Sequence, residues 1–282
     1  MEKRTSIFAS FPENTFLENI AIDALGAIYV TSLFEGIVYR FGRDGSRTVF
    51  AHIDGKAAGI VALNDGSFLV NGWDAAGKPT IYRVLSDGET SVADQPVNAR
   101  FFNGMTPLND RQVILCDAYL GCLWCHDLVG NKTSIWLEHP LLTKVDMEQF
   151  YMPSANGIKR FGDAIYVSNT ERRLLLRVPL DGETPSEVEI LIPDIILDDF
   201  AFDEAGNLFG ATHVLNGVVK ITPDLQMTVI SEERDGLAGS TAVAFGRTDD
   251  DKDHIYVTTN GGMTMPVNGQ IQPGRIVKIN VK

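Results

Sequence analysis

Residues 18–40 read ENIAIDALGAIYVTSLFEGIVYR, and residues 198–220 read DDFAFDEAGNLFGATHVLNGVVK. Laid over one another, both give a short strand, a Gly turn, a second apolar strand, a polar hairpin and a third strand that ends on a basic residue. Related units begin near Ala58 (AGIVALNDGSFLVNG), Asn103, Asn156 (NGIKRFGDAIYVSN) and Thr241 (TAVAFG, then HIYVTT). The starts lie roughly 40 to 50 residues apart, the period of four-stranded propeller blades. The strands are β-branched and aromatic, and Asp-Gly pairs at 44–45, 65–66, 87–88 and 181–182 punctuate them. The expected fold is all-β, a six-bladed β-propeller with four-stranded blades.

Working outward, no window holds a sustained 3.6-residue apolar period, so helix should be scarce. No linker or composition break interrupts the series, and residues 1–282 read as a single domain. The sixth unit is one strand short. Thr5-Ser6-Ile7-Phe8-Ala9 has strand character and is expected to complete the last blade, closing the ring and removing an open edge. The longest irregular stretch, 138–155, carries Met147, Phe150, Tyr151 and Met152. It reads either as a cover over a pocket or as a loop pinned down by its own apolar side chains.

A net charge of −13 argues against nucleic acid and against anionic membranes as partners, since both reward clustered Lys and Arg. The first residues lack the apolar run of a signal peptide, no window is long and apolar enough to span a bilayer, and three cysteines fit a reducing compartment. A cytoplasmic protein is expected.

Aligning the units puts Glu18, Ala58, Asn103, Asn156, Asp198 and Thr241 at one phase, just before the innermost strand of each blade. In a propeller those positions face a common axis. Glu18, Asn103, Asn156 and Asp198 supply hard oxygen donors, two of them anionic, a set that suits one divalent cation. Ca²⁺ fits such a loose oxygen cage best, with Mg²⁺, Mn²⁺ or Zn²⁺ as the other candidates.

The same residues carry a resemblance. The chain resembles the SMP-30/gluconolactonase/luciferin-regenerating (LRE)-like superfamily of six-bladed β-propellers. Glu18 in ENIAID matches that family's first metal ligand, Asn103 in FFNG the second, Asn156 in ANGI the third and Asp198 in DDFAFD the fourth. The resemblance implies an axial cation and a hydrolase of the lactonase or esterase type. Sugar-lactonase relatives place an Arg two residues before the Asn ligand; here that residue is Phe101, with Arg100 beside it. The expected small-molecule substrate is therefore less polar than a sugar lactone.

The hairpins joining second and third strands add Phe34, Trp73, Tyr119, Asn169, His213 and Met263 to the same mouth. Phe34, Trp73, Phe101, Phe102, Tyr119, Phe150, Tyr151, Asn169 and Thr241 are the expected substrate-binding residues. Asp198 is the expected general base and His213 a proton donor or acceptor. In this reading the cation polarises an ester carbonyl and Asp198 activates water. Two alternatives stay open: a propeller that binds and cyclises or isomerises a small molecule without hydrolysis, and a non-catalytic sensor or interaction propeller.

Three further signals are set aside. Cys122-Leu-Trp-Cys125-His126 matches a haem-attachment spacing, but the repeat already makes it a third strand, on which the two cysteines point to opposite faces. Cys116 with that pair lacks a fourth zinc ligand at suitable spacing. The acidic run 249–253 lacks the Gly and terminal Glu of an EF-hand loop and reads as a solvated turn.

Overall fold

A computed structural model of the chain describes residues 4–146 and 152–282. Strand β1 (Thr5–Glu13) precedes blade one, which is β2 (Leu17–Ile22), β3 (Ile28–Ser32), β4 (Ile37–Phe41) and β5 (Arg47–His52). Blade two is β6 (Gly55–Ala62), β7 (Phe68–Asp74), β8 (Pro79–Val84) and β9 (Thr90–Asp94). Blade three is β10 (Phe102–Pro107), β11 (Gln112–Asp117), β12 (Cys122–Asp127) and β13 (Lys132–Glu138). Blade four is β14 (Ala155–Phe161), β15 (Ala164–Asn169) and β16 (Leu174–Asp181), edged by the two-residue β17 (Thr184–Pro185) and by β18 (Glu189–Pro193). Blade five is β19 (Phe200–Phe202), β20 (Leu208–Ala211), β21 (Val218–Ile221) and β22 (Met227–Ser231); blade six has β23 (Ser240–Phe245), β24 (His254–Thr259) and β25 (Pro273–Asn280). These six antiparallel sheets make the fold a six-bladed β-propeller. Helix among the described residues is two 3₁₀ turns, Pro140–Leu142 and Glu233–Asp235, neither long enough to cross a membrane.

Two compact units divide the chain: residues 1–57 with 198–282, and residues 58–197. In the first unit β1 pairs with β25 from Thr5↔Ile279 to Glu13↔Pro273, so the N-terminal strand completes the last blade as expected. Its aromatic side chains then reach blade one. Phe8 meets Phe41 and Tyr256 edge-on at 5.7 and 5.2 Å, and Phe11 meets Tyr39 at 5.1 Å. Phe11, Leu17, Ile20, Val30, Phe41 and Ile276 form one core cluster, while Phe209, Val218, Val243, Val257 and Val277 form another. In the second unit Cys122 packs in the cluster of Leu69, Phe102, Leu115 and Trp124, and Cys125 in that of Ile114, Leu123, Ile158 and Leu176. Strand alternation thus sends the two thiols into different layers. Burial pushes Cys122 up to about 12 and Cys125 up to about 11, which leaves both as unreactive thiols.

The outermost strands are broken in register, once at Tyr39↔Val49, Tyr82↔Val92, Trp124↔Ile135 and Val219↔Val229 and twice along β1. Such bulges twist an edge away from further pairing, which matters where Val49, Val92, Ile135 and Val229 are exposed.

The stretch after β13 is tied to blade four. Asn169 donates to Leu141 O (2.8 Å) and Thr143 O (3.3 Å), Arg172 Nε donates to Thr143 O (2.7 Å), and Glu171 accepts from Val145 N (2.6 Å). Leu142 is fully buried beneath it. Met147, Phe150 and Tyr151 lie outside the described residues. The turn at 249–253 is more ordered than a solvated loop, because Asp251 accepts from Thr248 N (2.9 Å), Thr248 Oγ1 (2.7 Å) and the Tyr256 hydroxyl (3.1 Å).

Two stability outcomes follow from this packing. Phe11→Ala should cost about 3–5 kcal/mol and deletion of residues 1–13 far more, read from urea midpoints; a midpoint within error of wild type for the deletion would reject closure by β1. His126 is fully buried, with Nδ1 2.9 Å from Thr133 Oγ1, and desolvation holds its pKa below the ordinary value. The unfolded chain then binds a proton that the folded chain refuses. Stability should be complete above about pH 6.5 and decline as the pH falls below it, with a shallower decline in His126→Gln.

Candidate functional site

The candidate residues sit where the innermost strands break register. Glu18-Asn19 oppose Thr31 alone, Asn103-Gly104 oppose Cys116, Asn156-Gly157 oppose Ser168, and Thr241-Ala242 oppose Thr258. Each is a two-against-one bulge, and bulges re-aim side chains. The spare N–H is taken by the opposing side chain: Asn19 N to Thr31 Oγ1 at 3.0 Å, Gly157 N to Ser168 Oγ at 2.8 Å, Ala242 N to Thr258 Oγ1 at 3.2 Å. Blade two does the same with Gly59 N and Asn71 Oδ1 at 2.9 Å. Blade five has Ala211 opposite, which offers no acceptor side chain, so Asp199 N donates to Thr241 O at 3.0 Å. The phase read from the sequence is therefore a physical register shared by the blades.

The first unit carries Glu18 and Asp198, both buried. Asp198 Oδ2 lies 2.5 Å from His213 Nδ1, while His213 Nε2 lies 2.8 Å from Thr264 Oγ1 and 3.2 Å from Asn260 Nδ2. Asn260 Oδ1 accepts from Gly262 N (2.8 Å) and Met263 N (3.2 Å), which turns its NH₂ toward the ring. A neutral His213 therefore carries its proton on Nδ1, donated to Asp198, and presents the Nε2 lone pair. Its backbone is left-handed, with φ 43°, and non-Gly residues held there are concentrated at functional positions. Beside this pair, Asp199 accepts from Asn19 Nδ2 (3.2 Å) and from Phe200 N (2.8 Å).

The second unit carries Asn103 and Asn156, likewise buried. Asn156 Nδ2 donates to Thr170 Oγ1 at 3.0 Å, and that hydroxyl donates to Leu197 O at 2.9 Å. The chain of donors fixes which way the Asn156 amide faces, with its oxygen on the side away from Thr170. At blade three, a Cβ on Gly104 would stand 2.5 Å from Asn156 O, so only Gly fits there. Trp73, Phe101 and Tyr119 form a run of rings, 4.6 Å from Trp73 to Phe101 and 4.8 Å from Phe101 to Tyr119, all partly exposed.

Three expected substrate contacts have other work. Phe102 is fully buried and meets Trp124 edge-on at 6.2 Å, because it lies on the core side of β10. Asn169 is buried and ties down the 141–143 loop. Thr241 is buried and donates to Leu17 O at 2.8 Å. Phe34 is half exposed, edge-on to Phe16 at 5.5 Å with Lys56 Nζ 5.3 Å from its ring. Thr170 and Asn260 were not singled out from the sequence, although the repeat held the signal. They and His213 fall three residues past Val167, Val257 and Gly210, which pair with Ile158, Val243 and Phe200.

The donor set fits a hard cation rather than a soft one. These are carboxylates in the first unit and amides in the second, and among the described residues no three His, Cys, Asp or Glu side chains gather as a metal cluster.

Blades of this order with the closing strand define a six-bladed β-propeller. Solved structures share that fold. A luciferin-regenerating enzyme is 16% identical, with TM-score 0.73, over 95% of this chain and 92% of its own. A calcium-binding protein, regucalcin, from Agrobacterium tumefaciens is 14% identical, with TM-score 0.74, over 97% and 92%. A gluconolactonase from Xanthomonas campestris is 13% identical, with TM-score 0.74, over 98% and 89%. No family model matches the chain, and no curated protein matches its sequence.

Thr170→Val should cost about 1–3 kcal/mol in urea unfolding, because both Asn156 Nδ2 and Leu197 O lose a partner, whereas Thr170→Ser should stay near wild type. Equal midpoints for the two variants would remove Thr170 from the positioning of Asn156.

Proposed function

We propose that the protein is a metal-dependent hydrolase of lactones or related esters, working at the inner ends of its blades. The observation that carries this reading is the Asp198–His213 pair. A buried carboxylate holds an imidazole at 2.5 Å, and Asn260 and Thr264 fix the opposite ring nitrogen. In the same reading Glu18, Asn103, Asn156 and Asp198 hold one divalent cation, Ca²⁺ before Mg²⁺, Mn²⁺ or Zn²⁺, on the strength of their oxygen chemistry and shared register. When bound, that ion supplies Lewis-acid polarisation of the ester carbonyl. The likeness to a gluconolactonase and to a calcium-binding regucalcin supports this reading at the level of fold.

The chain's own groups handle the proton. The Nδ1–H bond to Asp198 leaves the Nε2 lone pair of His213 as the proton acceptor. His213 Nε2 therefore takes the proton from the attacking water, and Asp198 stabilises the imidazolium that results. Water oxygen bonds to the carbonyl carbon, the ring C–O bond breaks, and the proton passes from His213 to the departing alkoxide, giving a hydroxy acid. Displacement of the Thr264 hydroxyl from Nε2 makes room for the water. The three buried thiols, unbridged in the structure, fit a reducing compartment such as the cytoplasm.

Asp198→Asn and His213→Gln should each lower kcat by roughly 10²–10⁴-fold on a lactone that the wild type turns over, with melting temperature nearly unchanged for His213→Gln. Elemental analysis of untagged protein and a chelator titration of Tm test the cation. Tight ligand binding without acid product would assign the site to binding or isomerisation instead, and full activity in His213→Gln would dismiss the proton route.

A further inference from the structure

The loop that follows β24 brings a hydroxyl to the Asp198–His213 pair. Thr264 Oγ1 lies 2.8 Å from His213 Nε2, and His213 Nδ1 lies 2.5 Å from Asp198 Oδ2. With the ring proton on Nδ1, the Nε2 lone pair accepts from the Thr264 hydroxyl, which Asn260 Nδ2 flanks at the longer 3.2 Å. Hydroxyl, imidazole and carboxylate are therefore bonded each to the next. A hydroxyl against a base, with the base held by a third group, is the arrangement of an activated nucleophile, whatever fold carries it.

Base and hydroxyl are anchored to one segment. Thr264 belongs to a turn in which Met265 N donates to Gly262 O at 3.1 Å. That turn stands on Asn260, fully buried, whose Oδ1 accepts from Gly262 N and Met263 N and whose own N–H donates to Gly239 O at 2.9 Å. His213 bridges to Ser240, and Asn216 Oδ1 accepts from Gly239 N at 2.7 Å. A Cβ on Gly239 would stand 1.9 Å from Asn260 Oδ1, so only glycine allows this approach. Thr264 is exposed and His213 half-buried, which leaves the hydroxyl within reach of a ligand from solvent. The other Thr–His pair, Thr133 with His126 at 2.9 Å, lacks both features. It is buried, and His126 Nε2 has no partner among the described residues to orient the ring.

We infer that Thr264 is the nucleophile of a two-step acyl transfer, with His213 as its base and Asp198 orienting the ring. His213 Nε2 takes the proton from Thr264 Oγ1 as that oxygen bonds to the carbonyl carbon. The ester C–O bond breaks, and the proton passes from Nε2 to the departing alkoxide, leaving an acyl-threonine. Water then gives a proton to Nε2 and bonds through its oxygen to the acyl carbon. The bond to Oγ1 breaks, the proton returns to Oγ1, and the acid leaves. Acylation is what takes the hydroxyl off Nε2 and makes room for water, so His213 serves both steps. The ester or lactone substrate rests on the proposed hydrolase reading; the nucleophile rests on the Thr264–His213–Asp198 geometry alone. Direct attack by water, with Thr264 only displaced, is the competing outcome.

The test uses 4-nitrophenyl acetate on the full-length protein as purified. Wild type quenched in acid during turnover should carry an acetyl group at Thr264, located by peptide mass spectrometry. Thr264→Val, close in size and without the hydroxyl, should lose the adduct and at least about 10²-fold in kcat, while Thr264→Ser recovers adduct and turnover. Thr264→Val joined to His213→Gln should cost within about threefold of the worse single variant, because groups that act as one unit are not additive. Melting temperatures separate lost chemistry from lost fold, and the adduct in wild type decides the matter where the Val variant is unstable. Turnover with no adduct at Thr264, or a Val variant whose kcat stays within about threefold of wild type, overturns the nucleophile and leaves hydrolysis by direct water attack. An adduct that forms at Thr264 without release of acid upholds the nucleophile and sinks the hydrolase reading. Neither adduct nor turnover sinks both.

Discussion

A single backbone problem organises this protein: a strand that begins with one residue too many. In four blades the innermost strand sets two residues against one, and an unpaired N–H is left at a buried place. Water cannot reach it, and an orphaned amide there costs about 1–3 kcal/mol. Thr31, Ser168 and Thr258 answer from the neighbouring strand with a hydroxyl, and Asn71 answers in blade two with an amide oxygen. With the bulge secured, the residue before it is turned out of the sheet's alternation. Glu18, Asn103, Asn156 and Asp198 occupy that turned-out place, so the device that solves a strand-pairing problem also presents the polar groups.

The second member of each bulge shows how tightly this is built. In the second unit it is Gly59, Gly104 or Gly157, and a Cβ on Gly59 would lie 2.2 Å from Asn103 O. In the first unit the place is held by Ala242 in blade six and by Asn19 and Asp199 in blades one and five, which bond to each other and fold back onto the next backbone N–H. The sequence ENIAID against ANGIKR therefore records two ways of filling one position, a buried polar pair in blades one and five and close approach of backbone at the glycines.

Blade period, the six starts and the closing role of Thr5–Ala9 were legible in the sequence because strand patterning and turn chemistry are local and repeat. The inner-strand phase was legible for the same reason. What stayed hidden depends on side-chain direction. Phe102 and Phe101 are adjacent and identical in kind, yet β10 sends one to Trp124 in the core and leaves the other with Trp73 and Tyr119. Asn169 and Thr241 have the composition of ligand-binding residues and spend it on loop and strand carbonyls. Thr170 and Asn260 touch Asn156 and His213 as hydrogen-bond partners, and a residue that works through another leaves no motif of its own.

Three of the buried aspartates show how one side chain takes different partners. Asp117 gives its oxygens to four backbone N–H groups and an indole, none of which can pass a proton on near neutral pH. Asp199 is bonded to an amide and a backbone N–H, again groups that keep their protons. Asp198 is paired with an imidazole, and the far nitrogen of that ring meets Asn260 and Thr264. Proton transfer needs a partner whose two states lie close in energy, which an imidazole supplies and an amide does not. The same carboxylic side chain thus braces backbone in two places and holds an imidazole in the third, and the difference lies in what the fold puts opposite it.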